Sequence, residues 1–270
     1  MCELFAMSTR YPATVQLSLE EFSRHGGLSG PHKDGWGIAW YEDRDVRVVK
    51  EAHPAATSAC VRFIQGNPFV TTLAICHVRK ATRGEVVLRN CQPFVRELGG
   101  AWHSFAHNGD LPGIENQTHL QPGTFRPVGE TDSEQAFCAL LERLRPLWLA
   151  GRPPDLAARL KAIELFAADL RQLGPANFLY CDGAALFVHA DRRHQNDGTI
   201  SPPGLWRLNR HCAAGGDLST EGLHIDARGA EQEVVLVASV PLTAEGWVPL
   251  QRGEVVVAWA GQQALDLTRA

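Results

Sequence analysis

Short apolar runs separated by polar or glycine-containing turns dominate the first 110 residues of the chain. The runs at 34–41 and 46–50 flank the charged segment 42–45, a pattern typical of a β-hairpin. Further apolar runs at 71–78 and 101–107 are too short for buried helices, and each ends in polar residues. These patterns predict buried strands in this part of the chain.

Helical spacing replaces the strand pattern at three places. Ser18 and Glu21 have the spacing of a capping box, which predicts a short helix ended by two glycines. The polar segment 131–134 precedes apolar residues spaced three and four apart, so a helix is predicted to start near Asp132. The segment 155–173 has the same spacing and is followed by a Gly-Pro stop signal.

Strand patterns return after the second long helix. Residues 177–180 and 185–189 have the pattern of a second hairpin, and β-branched residues fill 234–240 and 255–259. An order of strands, then helices, then strands predicts an α+β fold with helices packed on sheets, rather than an alternating parallel α/β fold. The stretch 191–229, rich in Gly, Asn, Pro and Arg, has little periodicity and is interpreted as a long surface excursion.

Composition narrows the class of protein. A chain of 270 residues with 44% hydrophobic residues can bury a sizeable core, and we expect a single domain over residues 1–270. The 26 Lys and Arg nearly balance the 30 Asp and Glu, so no strong field favours nucleic acid or an anionic membrane as a partner. The N-terminus lacks a signal-peptide pattern and no apolar run is long enough to span a bilayer, which predicts a cytoplasmic protein.

The cysteines do not form a disulfide or metal-binding pattern. There are seven of them, scattered and without a CxxC pair, so a disulfide framework is not expected. A zinc site that joins Cys76, His77 and Cys91 to His103 or His107 would lack the closely spaced ligand pairs that zinc sites use. Neither a metal nor another cofactor is expected, and the cysteines beyond position 2 are interpreted as small buried apolar groups.

Cys2 has a chemical role if Met1 is removed, and methionine aminopeptidases do remove Met before a small residue such as cysteine. The processed chain would then carry a thiol and a free α-amine on one residue. That amine, with a pKa of about 7.7–8.0, is suited to act as a general base near neutral pH. Hydrolases with an N-terminal threonine activate their nucleophile in this way. A chance cysteine at a frayed terminus is the alternative, which position alone would favour.

Five separated motifs carry a family resemblance. They are Met1-Cys2-Glu3-Leu4-Phe5, Asp34-Gly35-Trp36-Gly37-Ile38, the segment 77–84, the segment 105–110 and the segment 129–134. The order and spacing of these motifs resemble those of class II glutamine amidotransferases. The catalytic motifs lie within residues 2–134. Residues 238–243 with Trp247 and Gly253-Glu254 resemble the C-terminal part of the stand-alone, YafJ-like subgroup. The resemblance implies the four-layer αββα sandwich of N-terminal-nucleophile hydrolases, with mostly antiparallel sheets.

The resemblance also implies catalytic roles. Cys2 would be the nucleophile, while the Asn108 side-chain amide and the Gly109 backbone N–H would form the oxyanion hole. Donors fixed where negative charge develops lower a barrier by a few kcal/mol, and the absence of a side chain at Gly109 lets the backbone approach closely. Without the resemblance, Asn108 and Gly109 would be interpreted as an ordinary turn after a strand.

Three further residues are implied to bind substrate. Arg79 would grip the substrate α-carboxylate with its planar fork, Asp132 would accept the α-ammonium, and Thr82 would line the pocket. A solvated charge at a strand end and a helix cap are the simpler explanations of Arg79 and Asp132. Lys80 and Arg83 stand where many family members have Trp and His, so this wall of the pocket departs from the family pattern.

The implied reaction is hydrolysis of a γ-glutamyl amide through a thioester on Cys2 that water resolves. The alternative is a glutaminase subunit that delivers ammonia to a separate synthetase. No acceptor domain is recognised in the sequence, which favours the stand-alone hydrolase; a non-enzymatic descendant is a third and less favoured reading. The leaving amine is not specified by the motifs, and residues 191–229 are the expected source of that specificity.

Overall fold

The computed structural model describes residues 2–14, 18–67, 69–148, 154–195, 197–212, 217–220, 223–226 and 231–263. The α-helices are α1 (Ser18–His25), α2 (Ala59–Gly66), α3 (Asp132–Trp148) and α4 (Leu156–Leu173). The strands are β1 (Glu3–Thr14), β2 (Trp36–Glu42), β3 (Asp45–Glu51), β4 (Val70–Val78), β5 (Phe94–Leu98), β6 (Ala101–Gly109), β7 (Ala176–Cys181), β8 (Ala185–His189), β9 (Arg193–His194), β10 (Ile200–Ser201), β11 (Trp206–Cys212), β12 (Asp217–Thr220), β13 (Leu223–Asp226), β14 (Gln232–Ala238), β15 (Val248–Pro249), β16 (Val255–Trp259) and β17 (Gln262–Gln263).

Two large sheets form the centre of the fold. One has seven strands in the order β15-β11-β14-β1-β4-β2-β3, and the other has six in the order β17-β16-β8-β7-β6-β5. The strand pairings that the structure describes in both sheets are antiparallel. The prediction of mostly antiparallel sheets is therefore confirmed, and both predicted hairpins are present as β2–β3 and β7–β8.

Alternating side chains on β1 show how the seven-stranded sheet is covered on both faces. Phe5 and Met7 belong to a buried cluster that includes side chains of α1 and α2. Leu4 and Ala6, on the opposite face, belong to a second cluster that fills the space between the two sheets. Neighbouring residues of a strand point to opposite faces of the sheet. Both faces of β1 are apolar because the strand lies in the middle of the fold.

The six-stranded sheet has the same two-sided burial. Phe105 of β6 and Phe178 of β7 face the long helices, where Phe105 stacks on Phe137 of α3 with ring centroids 5.4 Å apart. Phe166 of α4 packs edge-on against Phe178 at 5.8 Å. Helices therefore cover the outer face of each sheet, which confirms the predicted four-layer αββα sandwich. The organisation of residues 1–270 as one domain stays a prediction.

The long helices begin where their sequence signals predict. The first helical residue of α3 is Asp132, and the Asp155 side chain caps α4 by accepting from the Ala157 N–H at 3.2 Å. The helix α1 begins at Ser18, but the side chains of Ser18 and Glu21 lie outside the described part, so their capping box stays a prediction. Within the described ranges, no helix is both long and apolar enough to cross a bilayer.

The interpretation of 191–229 as a surface excursion is wrong for its middle part. The strand β11 lies inside the seven-stranded sheet, between β14 and β15, and its alternate residues Leu208, Arg210 and Cys212 are buried. The pattern is obscured in the sequence because one inward-facing residue is an arginine, which forms an ion pair with Glu245. A charged residue at a core position removes the apolar alternation by which a strand is recognised.

Candidate active site

Cys2 directly precedes β1, at the end of the sheet where β4 finishes. Because β1 and β4 are antiparallel, with Glu3 opposite Val78, the residues after β4 return alongside Cys2. The Lys80 backbone N–H donates to Cys2 Sγ at 3.4 Å, and the sulfur lies 3.5 Å from the Lys80 carbonyl oxygen. The side chain of Cys2 is half-buried.

The electrostatic surroundings of Cys2 keep its sulfur protonated. Burial raises the pKa of the Cys2 thiol, and this effect exceeds the opposing effects of the Lys80 N–H and the Arg79 charge. The negative charge of Asp132 raises the same pKa further. Both charges are therefore close enough to act on the sulfur, and the thiol needs a base before it can attack a carbonyl group.

Arg79 follows β4 and is buried under the loop that comes after it. Its guanidinium donates to the carbonyl oxygens of Glu85 at 2.9 Å, Arg83 at 3.0 Å and Gly84 at 3.3 Å. In the part of the chain that the structure describes, no carboxylate lies within ion-pair distance of Arg79. Since a guanidinium has five N–H donors, these three bonds orient it and leave capacity for an anionic ligand.

Asp132 is a buried carboxylate at the start of α3. Its Oδ2 accepts from the Leu111 N–H at 2.8 Å, and its Oδ1 accepts from the Ser133 N–H at 2.8 Å. The bond typical of a helix cap is made by Thr131, whose Oγ1 accepts from the Glu134 N–H at 3.3 Å. Thr131 therefore makes the cap bond that was expected of Asp132, and the negative charge of Asp132 acts on the Cys2 sulfur.

The end of β6 brings Asn108 and Gly109 to the same place. Asn108 is fully buried, and its Nδ2 donates to the Cys2 carbonyl oxygen and, at 3.3 Å, to Ser239 Oγ. A Cβ at Gly109 would overlap the Pro175 carbonyl oxygen, so the close approach of backbones there requires glycine. Five of the predicted site residues thus meet at one end of the sandwich: Cys2, Arg79, Asn108, Gly109 and Asp132.

With this geometry established, comparison with known proteins identifies the family. Residues 1–269 match the family model described as class-II glutamine amidotransferases. The chain belongs to the class II glutamine amidotransferases. Membership of this family indicates an amidohydrolase whose general chemistry is hydrolysis of the glutamine amide or transfer of its ammonia.

Two relatives of similar length support the assignment, and a more distant structure shares the fold. The putative glutamine amidotransferase YafJ of Escherichia coli (strain K12) is 37% identical over 258 residues, which cover 94% of this chain and 96% of the relative. A crystal structure described as a predicted glutamine amidotransferase from Pseudomonas aeruginosa PA01 is 33% identical, with a TM-score of 0.69 and coverage of 97% and 99%. A Bacillus subtilis glutamine PRPP amidotransferase, 17% identical with a TM-score of 0.57, shares the fold over 97% of this chain and 48% of its own.

In this amidotransferase a cavity of about 400 Å³ lies beside Gly109. Thr82, the sixth predicted site residue, is exposed on its wall. The lining residues are Lys80, Thr82, Gly109, Asp110, Pro175, His194 and Ile200. His194 and Ile200 belong to β9 and β10, so the stretch 191–229 reaches the wall of this cavity, and its role in leaving-group specificity stays a prediction.

The glycine-rich segment 34–37 has a structural role in the amidotransferase. Asp34 Oδ2 accepts from the Ala81 N–H at 2.8 Å, and the Asp34 N–H donates to the Arg79 carbonyl oxygen at 3.0 Å. A Cβ at Gly37 would overlap the Gln92 carbonyl oxygen. The segment therefore holds the loop that carries Arg79 and Lys80 against the sheet.

Ser239 is a site residue that the motifs did not assign. It follows β14, and its Oγ accepts from the Leu4 N–H at 2.9 Å while receiving the Asn108 bond. Its N–H donates to the Leu4 carbonyl oxygen at 3.0 Å. Ser239 thus ties Asn108 to β1, the strand that follows Cys2. Ser239 lies in the segment 238–243 that resembles the YafJ-like subgroup, but that resemblance assigned it no role.

The cysteine and histidine residues considered above as zinc ligands do not form a metal site in the described part of the structure. Cys76 and His77 are neighbours on β4 and so point to opposite faces of the sheet. His103 is bonded through its ring nitrogens to Tyr180 Oη at 2.6 Å and to the Leu98 carbonyl oxygen at 3.1 Å. Among the residues that the structure describes, no group of three or more His, Cys, Asp or Glu side chains is arranged to hold a metal ion.

Proposed function

We propose that Cys2, exposed by removal of Met1, hydrolyses a γ-glutamyl amide through a thioester. The observation that carries this proposal is the position of Cys2, whose sulfur accepts from the Lys80 N–H and whose carbonyl group is bonded to Asn108. The charges of Arg79 and Asp132 both act on the same sulfur. Met1 lies outside the described residues, so its removal is part of the proposal.

The raised pKa of the thiol supports a general base in the first step. The free α-amine of processed Cys2 takes the thiol proton, and sulfur bonds to the amide carbon as the carbonyl electrons move onto oxygen. The Gly109 N–H and the Asn108 side-chain amide stabilise that oxyanion, with Asn108 Nδ2 exchanging its longer bond to Ser239 Oγ for a bond to the oxyanion. The C–N bond then breaks and the departing amine receives the proton. Water adds to the thioester, giving its proton through the α-amine to the leaving sulfur, and glutamate is released.

The charges around Cys2 match the zwitterionic end of a γ-glutamyl group. Arg79 binds the α-carboxylate through the guanidinium N–H donors that are not used in its bonds to the loop carbonyl groups. Asp132 binds the α-ammonium with carboxylate oxygens that backbone N–H groups already orient. Thr82 forms part of the wall that leads to the nucleophile. This pairing of opposite charges selects an amino acid over a simple amide.

The cavity beside Gly109 favours a stand-alone hydrolase whose leaving group is larger than ammonia. A cavity needs only about 10–15 Å³ of such volume to hold one water molecule, which is similar in size to ammonia. The volume of about 400 Å³ lies in the range of small-molecule sites. Lys80, Asp110 and His194 place charged and polar groups on its wall, so γ-glutamyl compounds with a polar leaving amine are the first substrates to test.

The nucleophile is tested by replacing Cys2 with alanine, with Cys60→Ala as the matched control because Cys60 is the other half-buried cysteine among the described ones. We expect Cys2→Ala to release no glutamate above background and Cys60→Ala to keep its activity. Intact mass should show that the active protein lacks Met1. Unchanged activity in Cys2→Ala would rule out the mechanism.

The substrate is tested by incubating the purified protein with glutamine and with a panel of γ-glutamyl peptides while free glutamate is measured. Faster hydrolysis of the peptides supports the stand-alone hydrolase. Hydrolysis of glutamine that appears only when a synthetase copurifies would instead support the ammonia-delivering subunit.

A further inference from the structure

The side chain of Asn177 lies behind the peptide group that joins Asn108 to Gly109. Asn177 is in β7, directly opposite Asn108 in β6, and it is fully buried. Its Nδ2 donates to the Asn108 carbonyl oxygen at 3.1 Å. A side-chain amide from the neighbouring strand is therefore bonded to the same peptide group that carries the Gly109 N–H.

That bond reinforces the direction of the Gly109 N–H that the strand ladder sets. In a trans peptide group the C=O and N–H point in opposite directions, so a group that holds the Asn108 oxygen also aims the Gly109 N–H away from β7. The strand ladder leads to the same direction. The Asp110 N–H donates toward β7, to the Pro175 carbonyl oxygen at 3.1 Å, and successive N–H groups of a strand alternate between its two sides.

On the side away from β7, the Gly109 N–H lies beyond the end of the sheet ladder. The last partner there is the side chain of Gln92, whose Oε1 accepts from the His107 N–H at 2.6 Å and whose Nε2 donates to the His107 carbonyl oxygen at 3.2 Å. The next N–H that points to this side is that of Gly109, which lines the cavity together with Lys80. The Lys80 N–H in turn touches the Cys2 sulfur.

Asn177 is itself held rigidly. Its Nδ2 also donates to the Arg192 carbonyl oxygen at 2.9 Å, and its Oδ1 accepts from the Asp191 N–H at 2.7 Å. A Cβ at Gly204 would overlap the same Oδ1, so the chain packs closely on the far side of the amide. A side chain with its donors and acceptor engaged and no free space keeps one rotamer, as a supporting group of a precise site must.

We propose that Asn177 is a positioning residue that aims and polarises the Gly109 N–H toward the oxyanion. The inference rests on the proposed function, because it assigns a cause to the direction of one of the proposed oxyanion donors. Donation to a peptide oxygen strengthens the N–H of the same peptide as a donor, since hydrogen bonds in a chain polarise one another. Asn177 makes no contact with substrate and acts through the peptide between Asn108 and Gly109.

The test compares Asn177→Leu and Asn177→Ser with Arg252→Met. Leucine keeps the branched shape of the Asn177 side chain, with larger methyl groups in place of its polar atoms, and serine, too short to reach Asn108, leaves room for water if the leucine variant does not fold. Arg252 bonds to Asp191 at 3.0 Å, so its replacement loosens the same neighbourhood without touching the Asn108 carbonyl. Loss of an oxyanion donor itself lowers kcat by about 10²–10³, so loss of the bond that aims the donor should lower kcat by about tenfold, with KM changed less than about twofold.

A spectroscopic readout separates aiming from general loosening. The diazoketone analogue of glutamine, 6-diazo-5-oxo-norleucine labelled with ¹³C at its ketone, alkylates the nucleophile and leaves a ketone where the oxyanion would form. Hydrogen-bond donation moves the ketone resonance downfield. We therefore expect an upfield shift in both Asn177 variants and none in Arg252→Met.

Two results would overturn the role of Asn177 alone: a Cys2 adduct whose ketone resonance is unchanged in both Asn177 variants, or an equal loss of kcat in Arg252→Met. Labelling of a residue other than Cys2 would overturn the proposed function, and this inference with it.

Discussion

Replacing Arg79 with lysine tests how the site holds its substrate. Lysine keeps the positive charge but offers a single ammonium where the guanidinium forms a planar fork, so one charge-assisted bond to the α-carboxylate is lost. A hydrogen bond to a charged group contributes about 1.5–3 kcal/mol, which corresponds to a KM for glutamine or a γ-glutamyl peptide higher by roughly 10- to 150-fold. Because the carboxylate is bound in both ground and transition states, kcat should change much less.

The structure also predicts the effect of Arg79→Lys on stability. The carbonyl groups that accept from the guanidinium belong to residues 83–85, which are exposed, so water can replace the lost bonds. We expect a loss of about 1–2 kcal/mol in the free energy of unfolding, or a few degrees in Tm. Arg89→Lys is the matched control, since Arg89 is in the same loop but pairs with Glu85 and Glu130 at the surface. An unchanged KM in Arg79→Lys, or an equal rise in Arg89→Lys, would refute the reasoning.

Two further predictions concern the ends of the strands. Gly109→Ala should lower both Tm and kcat, because its Cβ would overlap the Pro175 carbonyl oxygen. Gly66→Ala in α2, with no atom within 4 Å of the added Cβ, should leave kcat unchanged and keep or slightly raise Tm. Burial lowers the pKa of His189 to about 3, although its bond to the Glu254 carbonyl opposes the shift. Its folded form cannot take up a proton that the unfolded chain binds below about pH 6.5, so stability falls as pH decreases. Urea unfolding at pH 6.5 and pH 5 measures how much the free energy of unfolding falls on acidification. That fall should be smaller in His189→Gln than in the unsubstituted protein by on the order of 2 kcal/mol, and equal falls in the two proteins would contradict this.

Local sequence signals predicted the elements of this fold that depend on neighbouring residues. The helix α3 follows a polar cap segment, and the hairpin β2–β3 turns at Asp43, which adopts a positive φ of 54°. Both features are decided within a few residues, so a pattern in the sequence can carry them. The strand β11 was missed because Arg210, a residue of its inward face, owes its burial to Glu245 from a distant segment.

The site also combines residues that local motifs predict with residues that only distant parts of the chain bring into place. Family motifs predicted Cys2, Arg79 and Asn108 as site residues, whereas they predicted no role for Ser239 or Asn177. Asn108 lies 131 residues from Ser239 and 69 from Asn177, and only the pairing of strands brings these side chains together. The local sequence around a serine or asparagine at a strand end looks the same whether the residue supports a site or not. The sequence alone therefore could not identify Ser239 and Asn177 as supporting residues.

The geometry around the nucleophile therefore depends on long-range register more than on the motifs within 2–134. On one side of β1, the pairing with β4 sets Glu3 opposite Val78 and brings Lys80 to the sulfur. On the other side, the pairing with β14 brings Ser239 to Leu4 and Asn108. A slip of one residue in either pairing would reverse the faces of a strand whose two faces are both buried, which the core does not tolerate. The register that buries the core is thus the register that aligns the site, so changes that loosen β14 should reduce activity before they unfold the chain.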